Sequence, residues 1–145
     1  MKVHFLYDLE ALVPAFFHIT KASAFDSRVM GEIPYESGSY YVFDRAYNSF
    51  TGLYKIHKAG SYFIVRAKKN LQYRCLKWRR RLPKNVLTDA EIILAEEPSF
   101  LKYPEKLRLV RYHDDGQGRD FAFLTDAFHL SALEVANLYK KQVAD

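Results

Sequence analysis

Cysteine is almost absent from this chain. Cys75 stands alone among 145 residues, so an internal disulfide and any multi-cysteine zinc site are excluded. No run approaches the roughly 18 apolar residues of a membrane span. The opening "MKVHFLYDLE" carries charges where a secretory leader would have to be apolar. A cytoplasmic protein with no membrane partner is the expectation. Acidic residues are also missing from one long stretch. None of the 17 Asp and Glu lies between Arg45 and Thr88, whereas 12 of the 22 Lys and Arg do. That segment carries +12 and the remainder −7. Such asymmetry suits a polyanion partner, nucleic acid foremost. A solvated basic face that neutralises acidic neighbours within the fold is the plainer alternative.

Apolar and aromatic residues are plentiful. At 49% hydrophobic and 16% aromatic, the chain can bury a core of its own, as one domain or as a piece of a larger one. "KVHFLYDLEALVPAFFHITKAS" reads as two strands around a turn, Val3–Tyr7 and Phe16–Thr20, with Asp8 in the turn. "AFDSRVMGEI" reads as a short helix begun at Asp26 or Ser27.

The centre of the reading is "SYYVFDRAYNSFTGLYKIHKAG". Tyr40–Phe43 is an uncharged strand that stops at Asp44. Asn48 or Ser49 can cap a helix whose Phe50, Leu53, Ile56 and His57 recur at helical spacing, and Gly60 ends it. "SYFIVRA" then makes a second strand. Strand, short helix, strand is a βαβ unit with parallel strands, and the ligand crevice of such sheets lies beyond their carboxyl ends. Asp44 falls at one such end and Arg66 near the other.

From Lys68 to about Asp120 the texture becomes that of an antiparallel insertion. "NLQYRCLKWRRRLP" alternates cations with Tyr73, Leu76 and Trp78. Tyr73 and Trp78 could stack on a splayed base between Arg74, Lys77 and Arg79–Arg81; for Trp78 packing on the core is the favoured role. "VLTDAEIILAEE" and "KLRLVRYHDDGQGRDFAFLTD" read as strands, the latter a hairpin turning at Asp114–Gly116. Asp114 and Asp115 therefore read as turn residues. "SALEVANLYKKQVAD" opens with a Ser131/Glu134 capping box, followed by an apolar stripe of Ala132, Val135, Ala136, Tyr139 and Val143. The sequence stops inside this helix, which reads as a fragment. His4, His18, His57, His113 and His129 show no metal-ligand spacing and read as structural. Cys75 has no histidine at a recognisable spacing and is not expected to be a catalytic thiol.

The order of these pieces resembles the DDE transposases of bacterial insertion sequences, in the branch with a Tyr-x2-Arg-x3-Glu-x6-Lys signature. The resemblance rests on "VHFLYDLEALVPAFFHIT", "YYVFDRAYNSFTGLYKIHKAGSYFIVRAKKN", "YPEKLRLVRYH" and "FLTDAFHLSALEVANLYKK", and so covers nearly the whole chain. It implies an α/β fold: an RNase H-like mixed-sheet core with helices over residues 1–67 and 121–145. A basic antiparallel β insertion over 68–120 would precede the last helix. It further implies Mg²⁺ or Mn²⁺ held by three carboxylates, and strand cutting and joining on DNA, both transposon ends and target. A homodimer is implied for the full-length protein.

Carried over residue by residue, "FDRAY" matches the family's "FDRGY". Asp44 is thereby implied as the catalytic, metal-binding aspartate, with Arg45 beside it on DNA. "VRAKKN" makes Arg66, Lys68 and Lys69 candidates for phosphate contacts. Apart from the resemblance, the basic segment offers Arg74, Lys77, Arg79, Arg80 and Arg81 to phosphate, with a solvated face the equal alternative for the last three. Tyr139 matches the signature tyrosine and is expected near DNA. The match is imperfect, since Ala46 replaces the usual Gly and Gln142 stands where the signature has Arg. Asp44 alone of the three carboxylates falls within these residues, so metal binding is expected to be weak or absent and the chain inactive by itself. A non-catalytic DNA-binding remnant is the competing expectation.

Overall fold

The computed structural model describes residues 3–5, 34–43 and 49–143. The expected strand Phe16–Thr20, the helix near Asp26, the Asp8 turn, and Asp44, Arg45 and Ala46 all lie outside the described residues. Strands β1 (Val3–Phe5) and β2 (Tyr40–Val42) lead to helix α1 (Phe50–Lys58) and strand β3 (Tyr62–Arg66). Then come β4 (Tyr73–Trp78), β5 (Val86–Leu94), helix α2 (Glu97–Lys102), β6 (Leu107–Asp114), β7 (Arg119–Thr125) and helix α3 (Ala132–Val143). The fold is α/β, with one mixed sheet of seven described strands in the order β1-β2-β3-β7-β6-β5-β4. The arrangement is consistent with the RNase H-like core that the resemblance implies.

The βαβ unit forms for local reasons. The Ser49 hydroxyl accepts the Gly52 amide at 3.0 Å and so caps α1. Leu53 and Ile56 turn inward and are fully buried. Gly60 closes the helix at φ +78, where a side chain would be strained and its Cβ would sit 2.8 Å from the Ser37 hydroxyl. β2 and β3 pair in parallel, Tyr40 opposite Tyr62 and Val42 opposite Ile64. Phe43 extends the ladder by donating its amide to the Ile64 carbonyl at 2.9 Å.

β7 pairs directly with β3, and β6, β5 and β4 follow in antiparallel order. The basic stretch therefore adds strands to the core sheet and builds no separate layer. Alternation sorts side chains between two faces. Tyr41, Phe43, Phe63, Val65, Ile92, Leu107 and Leu109 pack under α1 with Tyr103, while Val42, Ile64, Val110, Phe121 and Phe123 pack under α3. The capping box is present: the Glu134 amide donates to Ser131 Oγ at 3.1 Å, and the Ser131 amide to Glu134 Oε1 at 2.9 Å. Its helix buries Ala132, Val135, Ala136 and Tyr139 along the expected stripe.

One polar device was not legible in the sequence. Arg108, fully buried, donates from Nε and Nη2 to the two Asp89 oxygens, each at 2.8 Å. Its Nη1 donates to the carbonyls of Ala127 and Leu130. The guanidinium thus ties β5 and β6 to the turn from which α3 starts.

Candidate nucleic-acid interface

Strand direction decides which cations share an edge. β1, β2 and β3 are parallel, and β6 and β4, each separated from β3 by antiparallel neighbours, run the same way. Their carboxyl ends form one rim. Val42 ends β2 at this rim. Arg66 ends β3 there, Arg79–Arg81 leave β4 there, and Arg119 begins β7 there. Arg79 is held in place by its amide, which donates to the Asp89 carbonyl at 2.8 Å. β3 and β4 are four strand spacings apart, so the rim spans about 19 Å. Cations that far apart cannot meet one phosphate and instead line a track for several.

The expected DNA contacts divide into groups. Arg79, Arg80 and Arg81 are exposed on the rim. Arg66 is half-buried, with its guanidinium 5.8 Å from the centre of the Phe121 ring, which Arg119 approaches to 4.6 Å. Arg66 and Lys68 line a cleft of about 200 Å³ with Asn70, Gln72, Glu96 and Ser99. Lys69 is exposed in the same crossover. Arg74 and Lys77 are exposed on β4 itself, opposite Ile93 and Glu91. Arg45, like Asp44, lies outside the described residues.

Two expectations need correction. Tyr139 is a core residue at 3% exposure, its ring 4.8 Å from Phe123 and 5.7 Å from Phe121, so it offers no surface to DNA. Its place in the apolar stripe of α3 already pointed inward. Trp78 is the reverse case. Packing on the core was the favoured role, yet it is 60% exposed. β4 is an outer strand, and a bulge between Cys75 and Lys77 breaks its alternation just before Trp78. Tyr73 and Cys75 keep the inward positions and pack against the core. Arg119 was missed because it lies beyond the acid-free segment; its position at the start of a strand opposite a hairpin turn was the signal.

The turn between β6 and β7 runs two residues longer than read from sequence, closed by the Gly118 amide donating to the Asp114 carbonyl at 2.8 Å. Asp114 Oδ1 accepts the Gly116 amide at 3.0 Å and lies 3.7 Å from Lys140 Nζ. Lys140 and Tyr139 thus bring the later turns of α3 over the ends of β6 and β7, and the helix runs toward the rim. His113, paired with Asp120 across β6 and β7, lies 2.6 Å from Asp120 Oδ1, and that hydrogen bond holds its pKa above the ordinary histidine value.

Among the described residues no three His, Cys, Asp or Glu side chains converge where a metal could be held. The described residues alone do not build the metal centre implied by resemblance. Among them, too, no helix is long and apolar enough to cross a membrane.

A relative from Sinorhizobium fredii (strain NBRC 101917 / NGR234), named "Putative transposase y4zB", is 30% identical over 146 residues. The alignment covers 97% of this chain and 40% of that protein, so the chain spans about two fifths of its curated relative. No solved structure matches. The family described as "Transposase DDE domain" matches residues 1–143, and the chain belongs to it.

Proposed function

We propose that the protein acts in DNA transposition, with its basic rim as the surface that meets DNA. The observation that carries this reading is the gathering of Arg66, Arg79, Arg80, Arg81 and Arg119 at the edge where β2 ends. Phosphate neutralisation there positions a strand without reading its sequence. Asp44 would be one carboxylate ligand of the Mg²⁺ or Mn²⁺ used in cutting and joining strands. Hard oxygen ligands suit such ions, which supply charge neutralisation at phosphate. Transposon ends and target are the two DNA substrates of this reading, and the acting species is a homodimer of the full-length protein.

A second reading is a DNA-binding remnant without catalysis, favoured by Ala46 in "FDRAY" and Gln142 in the last-helix signature. Nicking by this chain is the outcome that would separate the two. With Asp44 as its only matched carboxylate, the 145-residue chain is expected to bind DNA and to cut none. Mg²⁺-dependent nicking that disappears in Asp44→Ala would overturn that expectation and remove the remnant reading.

Trp78 supplies a direct test of the rim. An exposed indole beside Arg79–Arg81 has a free face for an unpaired base. Trp78→Ala is expected to weaken binding of a single-stranded oligonucleotide by about 1–3 kcal/mol, with Tm unchanged. Equal affinity of the two proteins, measured by fluorescence anisotropy, would exclude stacking.

A further inference from the structure

The opposite edge of the sheet carries a constellation that DNA binding does not use. In the last turn of α1, His57 Nδ1 lies 2.8 Å from Asp126 Oδ2, and Nε2 lies 3.2 Å from Glu105 Oε1. Asp126 follows β7; its side chain is fully buried, and Oδ1 accepts the Phe63 amide at 2.9 Å. Glu105 lies between α2 and β6, with 43% of its side chain exposed, and accepts the Tyr54 hydroxyl at 2.8 Å. The Tyr54 and Tyr103 rings lie 6.1 and 5.6 Å from the imidazole. Lys58 Nζ is 5.8 Å from the centre of the Tyr54 ring. The titratable groups facing His57 are therefore Asp126, Glu105, Tyr54, Tyr103 and Lys58.

A neutral imidazole has one N–H and one lone pair, so it can donate to only one of two carboxylates. Two bonds at once require the imidazolium. We propose that His57 is a proton-operated latch, adding a second tie between α1 and the α2–β6 connection when charged and loosening that connection to the Tyr54–Glu105 bond alone when neutral. Asp126 keeps its bond after deprotonation, because stranding a buried carboxylate without that donor is costly. Glu105 Oε1 then faces the Nε2 lone pair and turns to water, while Oε2 keeps the Tyr54 hydroxyl. Loosening reaches the cleft, since Glu96 and Ser99 at the start of α2 line it together with Arg66 and Lys68. The latch thus goes beyond DNA binding and rests on separate residues.

The protonation balance agrees with the geometry. Hydrogen bonding to Asp126 raises the His57 pKa most, against the effect of burial, and Glu105 adds to the rise. The bonds from Tyr54 and His57 lower that of Glu105. Burial pushes the Asp126 carboxyl up while the His57 bond pulls it back. Both Asp126 oxygens meet N–H donors, which favours the charged pair. The restraint is fully present below the unfolded histidine value of about 6.5 and is lost as pH rises through the raised folded-state value.

The test is an NMR titration of the imidazole from pH 5.5 to 9, with amide protection factors for residues 97–106 over the same range. Protection factors are needed because intrinsic exchange itself changes with pH. His57 is expected to titrate above about 6.5, and protection of 97–106 to fall about threefold to tenfold through that titration. Glu105→Gln should abolish the step, since an amide can donate to or accept from Nε2 in either protonation state. His57→Gln should abolish it as well; should that protein not fold, the surface variant Glu105→Gln decides alone. An ordinary or lowered His57 pKa, flat protection, or a step that persists in Glu105→Gln would overturn the latch.

Discussion

Asp89→Ala is expected to lower the unfolding free energy by about 3–5 kcal/mol, the cost of stranding a buried charge. Arg108 has no exposed surface and directs Nε and Nη2 of its guanidinium at Asp89. Without that carboxylate the cation has only the carbonyls of Ala127 and Leu130 for company. At this chain length such a loss corresponds to a fall in Tm of roughly 10–20 °C. Removing both charges together, as Asp89→Leu with Arg108→Met, should restore most of the stability, because apolar replacement of a whole buried pair is often neutral or better. Urea denaturation of the two single variants and the double variant gives the cycle. A single variant within 1 kcal/mol of the parent, roughly the size of an ordinary surface effect, would show that the pair does not hold the start of α3.

DNA affinity of the parent protein should fall steeply with salt. Six to ten phosphate contacts imply a loss of about 10³–10⁵ in affinity between 50 and 200 mM. Replacing Arg79, Arg80 and Arg81 together with Ala should flatten the slope of log K against log salt by about 2 to 3, near one unit per lost contact. Stability should hardly change, since all three side chains are exposed. Gel shifts at several salt concentrations measure both quantities. An unchanged slope in the triple variant would return these arginines to the plainer reading, a solvated face. A parent protein indifferent to salt would remove the phosphate reading altogether.

Local patterns in the sequence carried much of the architecture. Ser49, Gly60, Ser131 and Glu134 announce helix ends through bonds to neighbours a few residues away, so their spacing is enough. Leu53 and Ile56 on α1, or Val135 and Tyr139 on α3, follow helical periodicity for the same reason. Other features depend on which strand lies beside which. Arg108 alternates with Leu107 and Leu109 like an outward-facing strand residue, and only the path of α3 across that face buries it. Trp78 looks like a core residue until β4 proves to be the outermost strand. His57 fits the apolar stripe of α1, and nothing near it in sequence reveals Glu105 or Asp126. The candidate site was legible as an edge, through the carboxyl ends of β2 and β3. Arg119 joins that edge only because β7 inserts beside β3.

That insertion also sets an order of events during synthesis. β3 pairs on one side with β2, about 20 residues earlier, and on the other with β7, about 60 residues later. At elongation speeds of about 5–20 residues per second, the βαβ half waits roughly 3–12 s with an open flank. The meander from β4 to β7 closes mainly through near neighbours and is the faster piece to assemble. Docking of these two halves is therefore the slow, long-range event. Until Ile64 and Val65 meet Leu124 and Thr125, the newborn chain exposes an apolar strand to any partner that arrives first.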